Sequence, residues 1–429
     1  MHTYNFLLIS LLILYSPFAQ AAPSGAKQLN RSDAVALALR ENQSLGAARA
    51  AIEEASAYSR YSGRLDNPEL NLEYASDKAF NDEGEHAYSI GFEQRFPVTN
   101  RLKLLKSVSA LEVQLAESEL RNQERLLIRD VELALDTITS LDDRLSLLNE
   151  VIELQESFTT FLEKRIQNGE ASTLDLNQVR VTQFAVKQDI QSLTKERHTA
   201  MGELRSLLGI PQDVEIEILP GQSGQDVLPD MTNLSGELME AHPEYQFKTL
   251  LAEIAQGQTA VAKAERWADI AIEIFFEEER AVDEPVGRET DRFFGIGFSI
   301  PLPLHSKNRG EIEASRSRER KIYHEATALK LRLENEANAL RHNAEATHLQ
   351  LTEYKESAVG LVEQNLVEIN RAYAAGQVDL GEVFRVQEQR LEIKTAQVAL
   401  RHELNQILIK WRAATASNLS NPSYRRSHQ

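Results

Sequence analysis

The sequence predicts a mixed membrane protein. Long antiparallel helices form a coiled-coil barrel, continued by a transmembrane β-barrel to which each chain gives four strands. The plan is written twice along the chain. Three observations predict it. Long polar stretches each carry one narrow apolar seam. Four short segments alternate apolar and polar residues. The motifs joining these segments recur once, at a near-constant offset.

The first residues are read as a leader. Residues 6–15, "FLLISLLILY", are apolar but too short to span a bilayer. Pro17 and then "AQA" at 19–21 follow, so residues 1–21 are expected to be a signal peptide cut before Ala22. No Lys or Arg precedes the apolar run, and a retained anchor is the alternative. No later stretch of 18 apolar residues exists. The net charge of −18 leaves no basic footprint, which excludes nucleic acid as a partner. The 429 residues include no cysteine, which excludes disulfides, thiolate metal sites, cysteine nucleophiles and a lipid-anchored N-terminal cysteine.

The repeat orders the rest. "RIQNGEASTLDLNQVR" (165–180) corresponds to "RAYAAGQVDLGEVFRVQ" (371–387), pairing Gly169 with Gly376 and Asp175 with Glu382. "GFEQRFPVTNR" (91–101) corresponds to "GFSIPLPLHSKNR" (297–309), and "NPELNLEY" (67–74) to "ADIAIEIF" (268–275), all at an offset of about 200–208. Residues 22–208 and 234–415 are thus two repeats, joined by the Pro/Gly-rich segment 209–233 and followed by a flexible tail, 416–429. Each begins with a helix (31–63; 234–266). Two strands follow (69–75 and 87–96; 269–278 and 292–300). A very long helix comes next (101–167; 307–374), then a turn at Gly169 or Gly376 and a return helix (172–208; 380–414). In the first long helix Val131, Leu135, Ile138, Leu141, Leu145, Leu148 and Ile152 make the seam; in the second, Val362, Leu366, Ile369 and Tyr373 do. At 1.5 Å per residue such a rod is on the order of 100 Å long and must lie against a partner along its length.

The strands pose a different question. Leu70, Leu72 and Tyr74 oppose Glu69, Asn71 and Glu73; Phe294, Ile296, Phe298 and Ile300 oppose Phe293, Gly295, Gly297 and Ser299. One face is greasy and aromatic, the other carries carboxylates and glycines, as lipid and a wet lumen require. A sheet packed on the protein's own helices is the alternative, but their seams are already used in pairing. An open edge is untenable in a bilayer and about eight strands are needed to close a barrel, so the chain must oligomerise. The loops 76–86 and 281–291 are polar and acidic, suited to water.

With this plan, the "NPEL" lead-in, "FPVTNR" and "IPLPLHSKNR" before the long helices, and the turns "NGEASTLDL" and "AGQVDLGEVF", the chain resembles the TolC-like outer membrane efflux proteins over about 30–415. The resemblance implies a homotrimer and a twelve-stranded barrel in the outer membrane lipid of a Gram-negative bacterium. It implies a helical tunnel through the periplasm, a periplasmic adaptor, and an inner-membrane pump of RND type. The motif style is closest to the heavy-metal efflux branch. The resemblance further implies that Asp175 and Glu382 line the constricted periplasmic end and that Tyr373, with Asp175, helps hold it shut. Val378 stands where the best-known members have a basic residue, and Arg385 where they have a second acid, so the lock is altered.

No catalytic constellation, phosphate loop, cofactor motif or metal motif is present; His342 and His348, six apart, do not share a helix face and are expected to be solvated. The expected function is a passive exit duct for a tripartite efflux system, with a type I secretion duct or a poreless periplasmic coiled-coil adaptor as alternatives. An enzyme is not expected.

Overall fold

The computed structural model describes residues 27–80, 83–219, 228–231, 239–283, 287–305 and 307–420. The expected signal segment lies outside them, as do residues 220–227 and 232–238.

The first seam builds the first arm. Helix α3 (Arg101–Gln167) and its return helix α4 (Thr173–Leu208) pack antiparallel. Val131, Leu135, Ile138, Leu141 and Leu148 are buried, with Leu145 and Ile152 packed against them. From α4, Val186, Leu193, Leu204 and Leu208 complete the core. Each such side chain contributes about 1.5–3 kcal/mol on full burial.

The expected helix 31–63 is two helices, α1 (Arg31–Glu41) and α2 (Gln43–Tyr61). Asn42 between them is extended, and its side chain accepts from the Ser44 and Leu45 amides while its Nδ2 donates to the Leu207 carbonyl at 2.9 Å. A capping asparagine restarts the helix in a new direction. The break also makes room for Gly209, left-handed at φ 67°, whose missing Cβ would run into the Glu41 carbonyl. Across the linker, two short strands that the alternation did not announce, β1 (Lys27–Leu29) and β4 (Ile216–Ile218), pair in parallel.

The second half repeats the order with differences. Helix α5 runs from Pro243 to Ala264, within the expected 234–266; residues 239–240 before it are also helical, and the expected start at 234 lies outside the described residues. Proline suits a first helical turn, where its missing amide is not needed. The expected single helix 307–374 is α6 (Arg309–Glu353), one π turn (Tyr354–Ala358) and α7 (Val359–Ala374). The return helix α8 (Leu380–Ala414) packs on both and on α3. Residues 417–420 of the expected tail form a packed turn, with Asn418 buried and its Nδ2 donating to the Arg125 carbonyl at 3.0 Å.

Four strands form one antiparallel sheet in the order β2 (Glu69–Ser76), β3 (His86–Phe96), β5 (Ile270–Asp283), β6 (Gly287–Ser299). The polar loop expected over 281–291 is largely strand: the ladder runs through Arg280↔Thr290 and Val282↔Arg288 to Asp283↔Gly287. Charge does not prevent pairing when both faces meet water or headgroups. In the first hairpin the Asp77 carboxylate accepts from the Glu83 and Gly84 amides at 2.6 and 3.0 Å and shapes the turn. Strands β2 and β6 are the two edges.

Candidate functional site

Two places carry chemistry: the tip where both helical hairpins turn, and the two faces of the sheet. At the tip the turns are built alike. Gly169 (φ 75°) and Gly376 (φ 72°) are left-handed, and the residues after them, Glu170 and Gln377, donate to the carbonyls of Arg165 and Ala372. These are the hydrogen bonds of a glycine-closed helix end, which a side chain at either position would strain. Each return helix is then capped from within: the Leu174 amide donates to Ser172 Oγ at 3.0 Å, and the Glu382 amide to Asp379 Oδ1 at 3.0 Å.

The four helix ends meet in one cluster of Leu162, Val179, Tyr373, Leu380 and Val383, with Val378 packed against it. Tyr373 is 8% exposed, its ring 5.1 Å from that of Phe158, with the Arg165 guanidinium 6.0 Å away. Burial, and after it the Asp175 carboxylate, push its phenol above the usual tyrosine range, while Arg165 works the other way. Asp175, in the first turn of α4, and Tyr373, in the last turn of α7, thus lie at the same tip. Asp175 also closes a capping box, accepting from the Ser172 amide at 3.3 Å. Glu382 pairs with Arg385 at 2.9 Å instead.

One cluster escaped the sequence reading. Arg390 (8% exposed) on α8 donates to Glu363 on α7 at 3.0 Å and to Glu150 on α3 at 3.2 Å, and Lys394 reaches Glu363 at 2.5 Å. It ties the second hairpin to itself and to the first. A signal existed: Leu380, Val383, Arg390 and Lys394 fall at seam positions of α8, where a charge is out of place unless paired. Burial opposes the charge on Glu363, but Arg390 and Lys394 outweigh it and hold the carboxyl below the usual glutamate range. A lowered carboxylate stabilises the fold above its unfolded value, about 4.3, and the contribution is lost as pH falls through the folded value. Glu363→Gln should thus be less stable than the parent at neutral pH, and urea unfolding should show the gap closing below about pH 4.

The sheet has two chemistries. On one face Phe294, Ile296 and Phe298 pair across from Phe276, Ile274 and Ile272, and all of Phe294, Ile296, Phe298 and Ile300 are exposed; Ile300 lies just past the end of β6. On the other, Asn71 donates to Glu273 at 3.2 Å, and Glu273 occupies the space a Cβ on Gly91 would need. The Phe275 ring likewise lies over Gly295. Arg95 bridges Glu93 and Glu69 at 3.0 and 3.4 Å on that face. The glycines are there to let larger neighbours lie flat.

Among the described residues no group of His, Asp and Glu is placed to hold a metal ion, and no helix is long and apolar enough to cross a membrane. His342 is exposed, but His348 is half-buried, not solvated, and its Nδ1 is enclosed without a hydrogen-bond partner.

Residues 34–210 match the family described as outer membrane efflux protein. That match agrees with the TolC-like resemblance and the outer membrane location expected from the sequence. No sequence among the curated proteins matches. The fold is that of several solved structures. CusC, studied for the conformational changes that accompany folding and transmembrane channel formation, superposes with a TM-score of 0.74 at 18% identity, over 93% of this chain and 95% of that one. The outer membrane protein VceC of Vibrio cholerae gives 0.71 at 16%, over 90% and 95%. The CmeC outer membrane channel of Campylobacter jejuni gives 0.73 at 12%, over 92% and 88%.

Proposed function

We propose that the whole chain, whose residues 34–210 match the outer membrane efflux protein family, is the exit duct of a tripartite efflux system. The observation that carries this is the sheet. Its apolar face is exposed, its opposite face carries carboxylates, Arg95 and glycines beside Phe275 and Phe293, and both edges, β2 and β6, are open. Only closure with further copies satisfies those edges in lipid, and three chains make a barrel of twelve strands. The helical hairpins then extend the duct into the periplasm, with their tip toward an adaptor and an RND-type pump. The motif style of the heavy-metal branch and the acidic inner face of the sheet favour divalent cations as cargo. Two measurements test the duct: after urea washing the protein should remain in the membrane fraction as a trimer, and in planar bilayers it should conduct. A chain that washes off is a periplasmic scaffold, and the reading fails.

Asp175, Tyr373 and Glu382 are proposed to line the entrance. Threefold symmetry would bring copies of both acids around one opening, where a ring of carboxylates favours cations. Asp175→Asn with Glu382→Gln should weaken cation preference and block by trivalent ions without loss of the trimer. Asparagine is chosen because it can still cap, whereas losing a cap costs about 0.5–2 kcal/mol. Unchanged selectivity would place the filter elsewhere.

A further inference from the structure

Beyond the apolar band, β5 and β6 continue toward their hairpin tip with charges sorted by sign. The ladder there pairs Glu278↔Arg292, Glu279↔Asp291, Arg280↔Thr290, Ala281↔Glu289 and Val282↔Arg288. Successive side chains alternate faces. Counting from Phe276 and Phe294, Arg280, Arg288 and Arg292 fall on the outward, apolar side, and Glu277, Glu279, Glu289 and Asp291 on the inward side. All three arginines of this ribbon are outward; Glu278 is the one outward acid. The sorting persists although it sets Glu279 directly opposite Asp291, an unfavourable like-charge pair. On β3, His86 adds a further outward polar group beside Arg280.

Glu278 is engaged by Arg292 at 2.7 Å and by the Tyr88 hydroxyl. Arg292 is nevertheless 69% exposed. Arg288 is exposed and reaches the Glu83 carbonyl only at 3.5 Å. Arg280 Nε is enclosed with no hydrogen-bond partner. The strands join the helices at their other ends, so this collar sits where the apolar band stops, farthest from the helices. In a barrel that level is the headgroup layer of the outer leaflet. Guanidinium groups match phosphate oxygens two at a time, and basic clusters beside anionic headgroups are attracted to them.

We propose that Arg280, Arg288 and Arg292, with His86, form an outward collar that binds a phosphorylated lipid headgroup. This rests on the barrel reading above. The detergent-extracted oligomer should be titrated with a diphosphorylated glucosamine lipid (lipid A), with the same lipid stripped of phosphate, and with inorganic phosphate, retention being read by native mass spectrometry. The phosphorylated lipid should be retained, and the stripped lipid held at least roughly tenfold more weakly, because both charge and bidentate contacts are lost. Combined Arg280→Gln, Arg288→Gln and Arg292→Gln should lower retention by a similar factor, while Glu279→Gln with Asp291→Asn should not. Should the triple variant fail to assemble, Arg280→Gln alone should still lower retention and Arg280→Lys should keep most of it. Equal retention of the two lipids, undiminished retention by the glutamine variants, or displacement by equimolar inorganic phosphate overturns the collar. Urea washing of membranes is scored separately. A parent protein that washes off defeats the barrel reading itself; one that stays yet does not tell the two lipids apart defeats the collar alone.

Discussion

Ile296→Arg and Phe298→Arg should each prevent assembly of the membrane form, whereas Gly297→Arg between them should be tolerated. The two apolar residues are exposed on the outward face of β6. A charge on a lipid-facing strand position near the midplane costs roughly 2–4 kcal/mol, and a trimer would incur it three times. Gly297 points the other way, and a Cβ there would meet Glu273 only at 3.7 Å, an ordinary contact that sets an added arginine beside a carboxylate. Gly295→Arg is a useful contrast, because the Phe275 ring already fills that space on the same inner face. The measurement is the trimer recovered from the outer membrane fraction. Equal loss at positions 296, 297 and 298 would mean that the sheet packs on protein.

Arg390→Met should loosen the tip of the second hairpin and raise single-channel conductance. Methionine keeps much of the packing of the aliphatic stem but leaves Glu150 and Glu363 to Lys394 alone. Breaking a buried pair costs 3–5 kcal/mol, but both carboxylates here are more than a third exposed, so about 2 kcal/mol is expected. The two acids separate the causes. Glu150 links α8 to the first hairpin, whereas Glu363 links α8 to α7 within the second. If the tip opens by parting the hairpins, Glu150→Gln should raise conductance and Glu363→Gln should mainly lower stability. Equal conductance changes in both, or none in either, would show that this network is not part of the gate.

What was legible in the sequence was whatever repeats along a face. The 3–4 steps from Val131 to Ile152 announced α3, alternation announced the middle of all four strands, and the glycines at 169 and 376 announced the turns. Single-residue events were not. Asn42 breaks a helix by capping the next one, and nothing in the periodicity around it changes. Pro243, in the first turn of α5, was readable as a helix-start residue inside the expected span 234–266. β1 and β4 are three residues each and exist because of partners 189 positions apart. The outer ends of β5 and β6 are charged on both faces, so the alternation of apolar and polar residues that betrays a strand is missing there. At the tip, Asp175 and Tyr373 came from resemblance, since two residues so far apart in sequence leave no local trace of their proximity. Arg390 is legible as a charge in an apolar register, but its partners on two other helices are not.

The π turn at 354–358 sets a rule for how this chain can change length. An α-helix advances about 100° per residue, so one residue accommodated in a π turn rotates everything after it by that angle relative to an unbroken helix. Leu366 and Tyr373 are buried in the phase that follows the turn. Helix α3, 67 residues long, has no such adjustment. A one-residue deletion at 354–358 could be absorbed by returning the turn to regular helix, which keeps Tyr373 in phase against Phe158. A one-residue insertion at the same place has no such outlet and would swing Tyr373 away by about 100°. Among descendants of this gene, length changes in the second arm should therefore survive as a single deletion within this turn, in compensating pairs, or as near-whole turns of helix, while single-codon changes elsewhere in 309–374 are purged by what they do to the far end.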